Sequence, residues 1–425
     1  MPGEATVNDF NPTAGQAEAL KAIREMPEKH PGGGGVCVIS GYAGTGKTTL
    51  LRVLAKENPN LFVLTPTGKA AVRVRQAAGC EAMTIHLWMY KPRKDEKTGE
   101  YKFDQKQSDE LRLPPHGTLL IDEASMISKQ VWDHLYFYCQ ALGLNIVLIG
   151  DGFQLPPVEV DPSKKAFSIF ADDFKADVRV TLTEVLRQAL ESPIIRISTL
   201  IRTESDITGP LTQLDIVSEK RLDEALLEMY EKQGVILCHR NATRHTTNAR
   251  IRQLRKLPED QLQVGEPLLV TRNNYRLNVF NGEVFTISDL HRTVGPVPVT
   301  DRYKNKSMYM TFREVSFQDL SSQAGICLEE VFGKVGDIDP DAIFKASRFT
   351  FKKAFLDQYG DPEMAPVHMH ANLGYALTCH KSQGSEWPES VVMIESSVRV
   401  GTTEGRRWLY TALTRARDRV RVCWL

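Results

Sequence analysis

The feature that most constrains this chain is the segment 41–48, which reads G-Y-A-G-T-G-K-T. Its glycines, its lysine and its threonine have the spacing of a phosphate-binding loop. The apolar, β-branched run 36–40 before the loop suits a strand, and the run 49–54 after it suits a helix. The loop therefore lies where a strand turns into a helix, which predicts a nucleoside triphosphate site.

The chemistry of such a loop assigns a task to each residue type. Glycines let backbone N–H groups approach phosphate oxygens, and the N-terminus of the following helix adds its positive dipole end. We expect Lys47 to reach the β- and γ-phosphates and the Thr48 hydroxyl to ligate Mg²⁺. The loop residues predicted to bind the nucleotide are Gly41, Ala43, Gly44, Thr45, Gly46, Lys47, Thr48 and Thr49.

Apolar runs that suit buried strands recur after the loop. The run 61–66 precedes a helix that ends near Gly79, and the runs 118–123 and 145–151 each end in acidic residues. Strand ends of a parallel sheet line a nucleotide crevice. These runs predict a parallel α/β domain.

Two of these strand ends carry candidate catalytic residues. Asp122 and Glu123 follow a predicted buried strand, where a P-loop ATPase needs one carboxylate for Mg²⁺ and a second for the attacking water. We predict that Asp122 holds the metal and that Glu123 acts as the base. Gln154, in G-D-G-F-Q-L-P-P after the next strand, is a candidate contact to the γ-phosphate.

The second half of the chain repeats the α/β pattern with one interruption. A second lobe, and hence a cleft between two lobes, is predicted by the apolar runs 234–238, 390–394 and 419–424. The interruption carries strand-like runs at 308–317 and 325–332 and a probable helix at 341–358. We interpret it as an inserted subdomain.

Composition sets limits on partners and location. The 425 residues are 42% hydrophobic, as in an ordinary globular protein, and 53 basic residues balance 53 acidic ones, so any nucleic-acid surface must come from local clustering. No apolar run approaches the roughly 20 residues of a spanning helix, and residues 1–13 lack a signal-peptide core, so a cytoplasmic protein without a membrane partner is expected.

The seven cysteines form no C-x-x-C pair, which argues against a disulfide framework or a zinc site. His380 and the pair His368-x-His370 are not assigned to a metal, because no cysteine or acidic partner motif accompanies them.

The ordered motifs of the chain resemble those of superfamily 1 helicases. They are Gln16, G-Y-A-G-T-G-K-T, T-P-T-G-K-A-A, T-I-H, D-E-A-S, G-D-G-F-Q-L-P-P, L-T-E-V-L-R-Q, H-K-S-Q-G and Y-T-A-L-T-R-A, and they cover residues 16 to 417. Within that superfamily, T-P-T-G-K-A-A followed by T-I-H and the insertion before A-L-T-C-H-K-S-Q-G most resemble the RecD and Dda branch, superfamily 1B.

The resemblance implies an architecture. It is an α/β fold with two RecA-like P-loop NTPase lobes, a small β-hairpin inserted in the first and a small, mainly β, SH3-like subdomain inserted in the second. The implied boundaries are 1–86 and 114–183 for the first lobe, 87–113 for the hairpin, 184–288 and 366–425 for the second lobe, and 289–365 for the inserted subdomain.

The resemblance also implies residue roles. Gln16 would hold the adenine edge, while Arg187 and Arg415 would act as arginine fingers that reach the γ-phosphate from the second lobe. Contacts to single-stranded DNA would come from Thr67, Lys69, Thr84, His86, Arg244, Asn248, Thr378, His380, Lys381 and Ser382. The segment 240–255 has five arginines and no acid, and it resembles a second-lobe segment that contacts the strand. A solvated helix face is its alternative interpretation.

The segment between T-I-H and D-E-A-S predicts a β-hairpin with a turn at 97–99. In Dda-like helicases such a hairpin is the pin that splits the strands, so Tyr101 or Phe103 could stack on the last base pair. The alternative is an exposed hairpin whose aromatic residues pack on the lobe.

The function implied by the resemblance is ATP- and Mg²⁺-dependent translocation along single-stranded DNA with 5′ to 3′ polarity, unwinding a duplex fork. A monomer could carry out this function, and partners from replication, recombination or repair are compatible with it. Three alternatives stay open: an RNA helicase, a nuclease-associated motor subunit, and a nucleotide-gated clamp that hydrolyses ATP without unwinding.

Overall fold

The chain divides into two compact units in the computed structural model. The structure describes residues 11–58, 60–94, 101–114, 117–157, 167–186, 189, 191–274, 276–277, 279–301, 305–336, 338, 342–343, 346 and 367–425. The first unit contains the residues up to Gln213 with Gln383–Glu386 and Arg399–Asp418, and the second contains Leu214–Ser382, Trp387–Val398 and Arg419–Leu425.

A six-stranded sheet forms the centre of the first unit. Its strands are β1 (Val36–Gly41), β2 (Phe62–Thr65), β3 (Glu81–Thr84), β6 (Thr118–Ile121), β7 (Asn145–Gly150) and β8 (Val178–Leu182), and a separate pair is formed by β4 (Tyr90–Lys94) and β5 (Tyr101–Gln105). The sheet order is β3-β2-β6-β7-β1-β8, and its neighbouring strands run parallel.

Helices cover both faces of this sheet. The helices of the first unit are α1 (Ala14–Lys29), α2 (Lys47–Glu57), α3 (Gly68–Ala78), α4 (Ile85–Met89), α5 (Lys129–Ala141), α6 (Pro193–Thr203), α7 (Thr208–Thr212) and, late in the chain, α11 (Thr403–Leu413). Alternate residues of β1 enter two different cores: Cys37 and Ile39 pack with α1, α2 and α3, whereas Val36 and Val38 pack with α4 and α5. Burial on both faces explains why the strands read as continuous apolar runs, and the predicted parallel α/β domain is confirmed.

The predicted hairpin is also present. Strands β4 and β5 pair antiparallel, from Tyr90 opposite Gln105 to Lys94 opposite Tyr101. The predicted turn at 97–99 lies outside the described residues.

The second unit contains two sheets. Its helices are α8 (Leu222–Glu231), α9 (Asn241–Leu254) and α10 (Leu328–Val331), and its strands are β9 (Asp215–Ile216), β10 (Val235–Cys238), β11 (Pro267–Val270), β12 (Val284–Asp301), β13 (Lys306–Phe317), β14 (Leu320–Cys327), β15 (Val367–His368), β16 (Ala371–Leu373), β17 (Ala376–Thr378), β18 (Trp387–Ile394) and β19 (Ala416–Trp424). One sheet has the order β17-β10-β18-β19-β9, and the other has the order β15-β14-β13-β12-β11-β16.

The second of these sheets contains the predicted insertion. Strands β12, β13 and β14 pair antiparallel, as a mainly β subdomain requires. The run 325–332 is not one strand, since β14 ends at Cys327 and α10 follows it. The sheet also takes in β11, β15 and β16, and the predicted helix 341–358 lies largely outside the described residues.

The two units differ from the expected lobes in one respect. Residues 184–213, 383–386 and 399–418 were assigned to the second lobe, but the structure places them in the first unit, where α11 packs against α6. The lobe boundaries given above stay predictions. Among the described residues, no helix is both long and apolar enough to cross a membrane.

Candidate nucleotide and nucleic-acid sites

The phosphate-binding loop connects β1 to α2, as predicted. Gly44 and Gly46 have φ angles of 79° and 81°, in the left-handed region that favours glycine, and a side chain at Gly46 would collide with the Gln16 amide. The Lys47 ammonium donates to the carbonyls of Gly41 at 2.5 Å and Tyr42 at 3.1 Å. The lysine side chain thus lies across the loop, where its ammonium can bind a phosphate at the N-terminus of α2.

Gln16 lies directly beside this loop. It is fully buried, its Nε2 donates to the carbonyl of Thr45 at 3.2 Å, and its Oε1 accepts from the Thr13 backbone N–H at 3.1 Å. Thr13 and Gln16 form a capping box at the start of α1. The cap fixes Gln16 against the loop, and its contact with an adenine stays a prediction.

The two carboxylates lie at the end of β6 and share one arginine. Both Asp122 and Glu123 are buried, and Glu123 has a φ of 55°, which is unusual for a residue other than glycine. Arg73 of α3 forms an ion pair with Glu123 and lies 3.5 Å from Asp122 Oδ2 and 3.4 Å from Glu386 Oε1. The sequence reasoning missed Arg73, although it follows the T-P-T-G-K-A-A motif by two residues.

The surroundings of the two carboxylates shift their pKa values in opposite directions. Burial and the neighbouring Glu123 charge raise the pKa of Asp122. Burial opposes ionisation of Glu123 too, but the charges of Arg73, Arg415 and Lys47 outweigh it and hold its pKa below the ordinary value. Glu123 is therefore ionised at neutral pH, which is the form a general base requires.

Arg415 lies in the first unit rather than in a second lobe. It is buried, and its guanidinium donates to the carbonyls of Thr411 at 3.0 Å and Ser385 at 3.2 Å. Its charge contributes to the low pKa of Glu123. Its action as an arginine finger stays a prediction, and Arg187 lies outside the described residues.

Two of the predicted catalytic residues each have a buried, unpaired side-chain oxygen. Glu123 Oε2 and Gln154 Oε1 accept no hydrogen bond from any residue that the structure describes. Buried polar atoms are normally paired, so such atoms mark a place for a polar ligand or water.

Tyr410 was not predicted and contacts the loop directly. Its hydroxyl accepts from the Ala43 N–H at 2.8 Å and donates to Asp151 Oδ2 at 2.7 Å. Burial and the Asp151 charge raise the pKa of Tyr410 well above its usual range, so the hydroxyl keeps its proton. The sequence feature that could have identified Tyr410 is its position as the first residue of the motif Y-T-A-L-T-R-A.

Tyr42 of the loop makes a cation–π contact. The guanidinium of Arg202 lies 3.7 Å from the centre of the Tyr42 ring.

The predicted DNA contacts of the first unit follow strands β2 and β3. The Thr67 hydroxyl caps α3 by accepting from the Ala70 N–H at 3.3 Å, and the Thr84 hydroxyl caps α4 by accepting from the Leu87 N–H at 3.2 Å. Lys69 and His86 are half-buried, and burial lowers the pKa of His86. The four residues share the edge of the sheet at which Asp122 also lies.

In the second unit, the charges of Arg244 and Lys381 act on one another. Arg244 is buried, and its Nε and Nη1 have no hydrogen-bond partner in the described part of the chain. Burial and the Arg244 charge lower the pKa of Lys381 to about 8. Thr378 and His380 lie just before Lys381 in the sequence, and the buried Ser382 hydroxyl donates to the Cys379 carbonyl at 2.7 Å. Two adjacent cations are suited to a phosphate.

Helix α9 contradicts the interpretation of the arginine-rich segment as a solvated helix face. Arg244, Asn248 and Arg252 form its buried face, so this face is not solvated. Asn248 donates to the Leu373 carbonyl at 2.8 Å and accepts from the Ala376 N–H at 2.8 Å, while Arg252 pairs with Glu266. The side-chain amide of Asn248 therefore bonds the backbone at the end of β16 and at the start of β17, inside the protein rather than at its surface. The side chains of Tyr101 and Phe103 lie outside the described part of the structure.

Comparison with known proteins places these sites in a family context. Residues 11–239 match the family model described as an AAA domain, and residues 373–423 match the one described as a UvrD-like helicase C-terminal domain. The chain is 26% identical to the RecBCD enzyme subunit RecD of Mycobacterium tuberculosis, over 91% of this chain and 66% of the relative. It is 25% identical to the ATP-dependent RecD2 DNA helicase of Deinococcus radiodurans, over 90% of this chain and 46% of the relative.

The chain therefore spans less than two thirds of the length of these curated relatives. Among solved structures, the Pif1 helicase from Bacteroides in complex with ADP-AlF3 and ssDNA has a TM-score of 0.53 and 18% sequence identity, over 97% of this chain and 92% of that one. This likeness concerns the fold.

Proposed function

Because the chain belongs to the superfamily 1B helicases of the RecD and Pif1 type, with RecA-like P-loop lobes, we propose that it is an ATP-dependent helicase that moves along single-stranded DNA. The observation that carries the proposal is the shared edge of the first sheet. Thr65 of β2 pairs with Thr84 of β3, and Leu64 pairs with Ile121 of β6, so the predicted DNA contacts and the catalytic carboxylates follow neighbouring strand ends.

In the proposed mechanism, the loop amides and Lys47 bind the β- and γ-phosphates of ATP. Thr48 and Asp122 would hold Mg²⁺, which neutralises phosphate charge when bound. Glu123, kept ionised by its cationic neighbours, accepts a proton from the attacking water. Arg415 stabilises the negative charge that develops on the phosphate oxygens.

DNA would be held by phosphate and sugar contacts without sequence preference. In the first unit, Thr67, Lys69, Thr84 and His86 offer hydroxyl and cationic groups. In the second unit, the cation pair of Arg244 and Lys381 offers charge to a backbone phosphate. The balance of 53 basic and 53 acidic residues makes this local clustering the source of affinity.

Three finer features are proposed with this function. Movement is 5′ to 3′ by family resemblance, the hairpin β4–β5 separates the strands through Tyr101 or Phe103, and the chain acts as a monomer with replication or repair proteins as partners. Replacing residues 94–103 by a short Gly-Ser turn tests the hairpin. DNA-stimulated hydrolysis should persist while duplex separation is lost, and unwinding at the parent rate would exclude the hairpin as the wedge.

The proposed function is tested by ATP hydrolysis with no nucleic acid, with single-stranded DNA and with single-stranded RNA of equal length. Stimulation by DNA that exceeds stimulation by RNA is the expected result. Equal stimulation would favour an RNA helicase, and no stimulation by either strand would contradict a translocase. Glu123→Gln is the matched control, because it should bind ATP yet remain unstimulated.

A further inference from the structure

A buried cluster in the second unit has the composition of a metal site. His368 at the end of β15, His370 just before β16 and Glu330 in α10 are all buried, and their ligand atoms lie within 4.8 Å of one another. Sequence reasoning set the two histidines aside because no acidic partner was visible. The fold supplies that partner from 38 residues earlier in the chain.

The backbone around the cluster is held by hydrogen bonds from several segments. Met369 N–H donates to the Gly325 carbonyl of β14 at 2.9 Å, and the His370 carbonyl accepts from the Thr271 N–H at 2.9 Å. The Asn274 amide donates to the His368 carbonyl at 2.8 Å. The two imidazole rings lie side by side, with their centroids 4.5 Å apart.

The distances suit a small cation with tetrahedral ligands. Glu330 Oε1 lies 3.0 Å from His370 Nδ1, and Glu330 Oε2 lies 3.5 Å from His368 Nε2. Zinc binds imidazole nitrogen and carboxylate oxygen at about 2.0–2.2 Å, which places neighbouring tetrahedral ligands roughly 3.3–3.5 Å apart. Small side-chain rotations therefore bring the three atoms onto one ion.

We propose that Glu330, His368 and His370 form a binding site for a divalent transition metal of the zinc class, which ties α10 to the strands β15 and β16. Two nitrogens and one carboxylate oxygen are a ligand set that zinc accepts, with a water as the remaining ligand. This site is distinct from the Mg²⁺ position at Thr48 and Asp122, which offers only oxygen ligands.

The test uses the full chain after treatment with a chelator. Co²⁺ is titrated with excess Mg²⁺ present, its visible absorption is followed, and Zn²⁺ is then added. One Co²⁺ per chain, with the intense visible bands of a low-coordinate site and displacement by Zn²⁺, is the expected result. Absence of stoichiometric Co²⁺ and Zn²⁺ binding by the parent protein overturns the proposal, whatever the variants do.

Variants locate the ion. Glu330→Gln and His370→Gln should weaken Co²⁺ binding tenfold or more, as loss of a ligand requires. Two controls should bind like the parent: Asp122→Asn, which alters the nucleotide site, and His291→Gln, whose ring lies 3.8 Å from Asp289 without a second histidine. Unchanged binding by Glu330→Gln, or loss of binding in Asp122→Asn alone, refutes the assignment.

Discussion

The ion pair between Arg73 and Glu123 is expected to stabilise the first unit and to keep Glu123, the proposed base, ionised. The side chain of Glu123 is 3% exposed and that of Arg73 is 26% exposed. Breaking a buried pair by removing one partner costs about 3–5 kcal/mol. Arg73 is partly exposed and Glu123 keeps Lys47 and Arg415 nearby, so we expect Arg73→Gln to lower the free energy of unfolding by about 2 kcal/mol.

The assay is thermal unfolding of the full chain. For a unit of this size, about 2 kcal/mol corresponds to a decrease in Tm of roughly 4–8 °C. Because the folded pKa of Glu123 lies below its ordinary value of 4.5, the pair stabilises the fold above that pH and is lost as the pH falls through the lower folded value. The deficit of Arg73→Gln should therefore shrink on acidification.

A double-mutant cycle isolates the pair. In a Glu123→Gln background, Arg73→Gln should cost much less than it does in the parent chain. Arg75→Gln is the matched control on the same helix, since Arg75 donates to the Ala82 carbonyl at 2.6 Å and not to a carboxylate. Its cost should be independent of Glu123. An equal cost of Arg73→Gln in both backgrounds would refute the reasoning.

Three further predictions concern single residues. Glu123→Gln should keep ATP affinity and lose turnover by a factor of about 10² or more, measured by nucleotide binding and steady-state hydrolysis. Affinity for single-stranded DNA should fall as the pH rises through about 8, because Lys381 loses its charge there, and Lys381→Arg should flatten this dependence. Asn248→Ala should lower the free energy of unfolding by about 2–4 kcal/mol, since the Leu373 carbonyl and the Ala376 N–H lose their partner. A merely exposed asparagine would show almost no loss.

Local patterns predicted the first unit well. The loop 41–48, the buried strands and the antiparallel hairpin each depend on residues that are close in sequence, so spacing and hydrophobic pattern were sufficient. The family could be predicted for the same reason, since its motifs are short and follow one another in a fixed order. The comparisons with known proteins confirmed it.

Long-range polar contacts could not be predicted in this way. Arg244, Asn248 and Arg252 have the spacing of one helix face, and arginine-rich faces are usually exposed. Here the desolvation of the buried side chains is offset by partners from other segments. Glu266 pairs with Arg252, and the Leu373 carbonyl accepts from Asn248. Arg73 and Glu330 were missed for the same physical reason, since pairing across the fold leaves no trace in local sequence.

The most direct test of the central claim is strand displacement from a duplex with a single-stranded 5′ tail, compared with the same duplex carrying a 3′ tail. We predict ATP- and Mg²⁺-dependent displacement from the 5′-tailed substrate, absent in Glu123→Gln. Failure to displace a strand from either substrate, while DNA still stimulates ATP hydrolysis, would contradict the helicase assignment and favour a nucleotide-gated clamp.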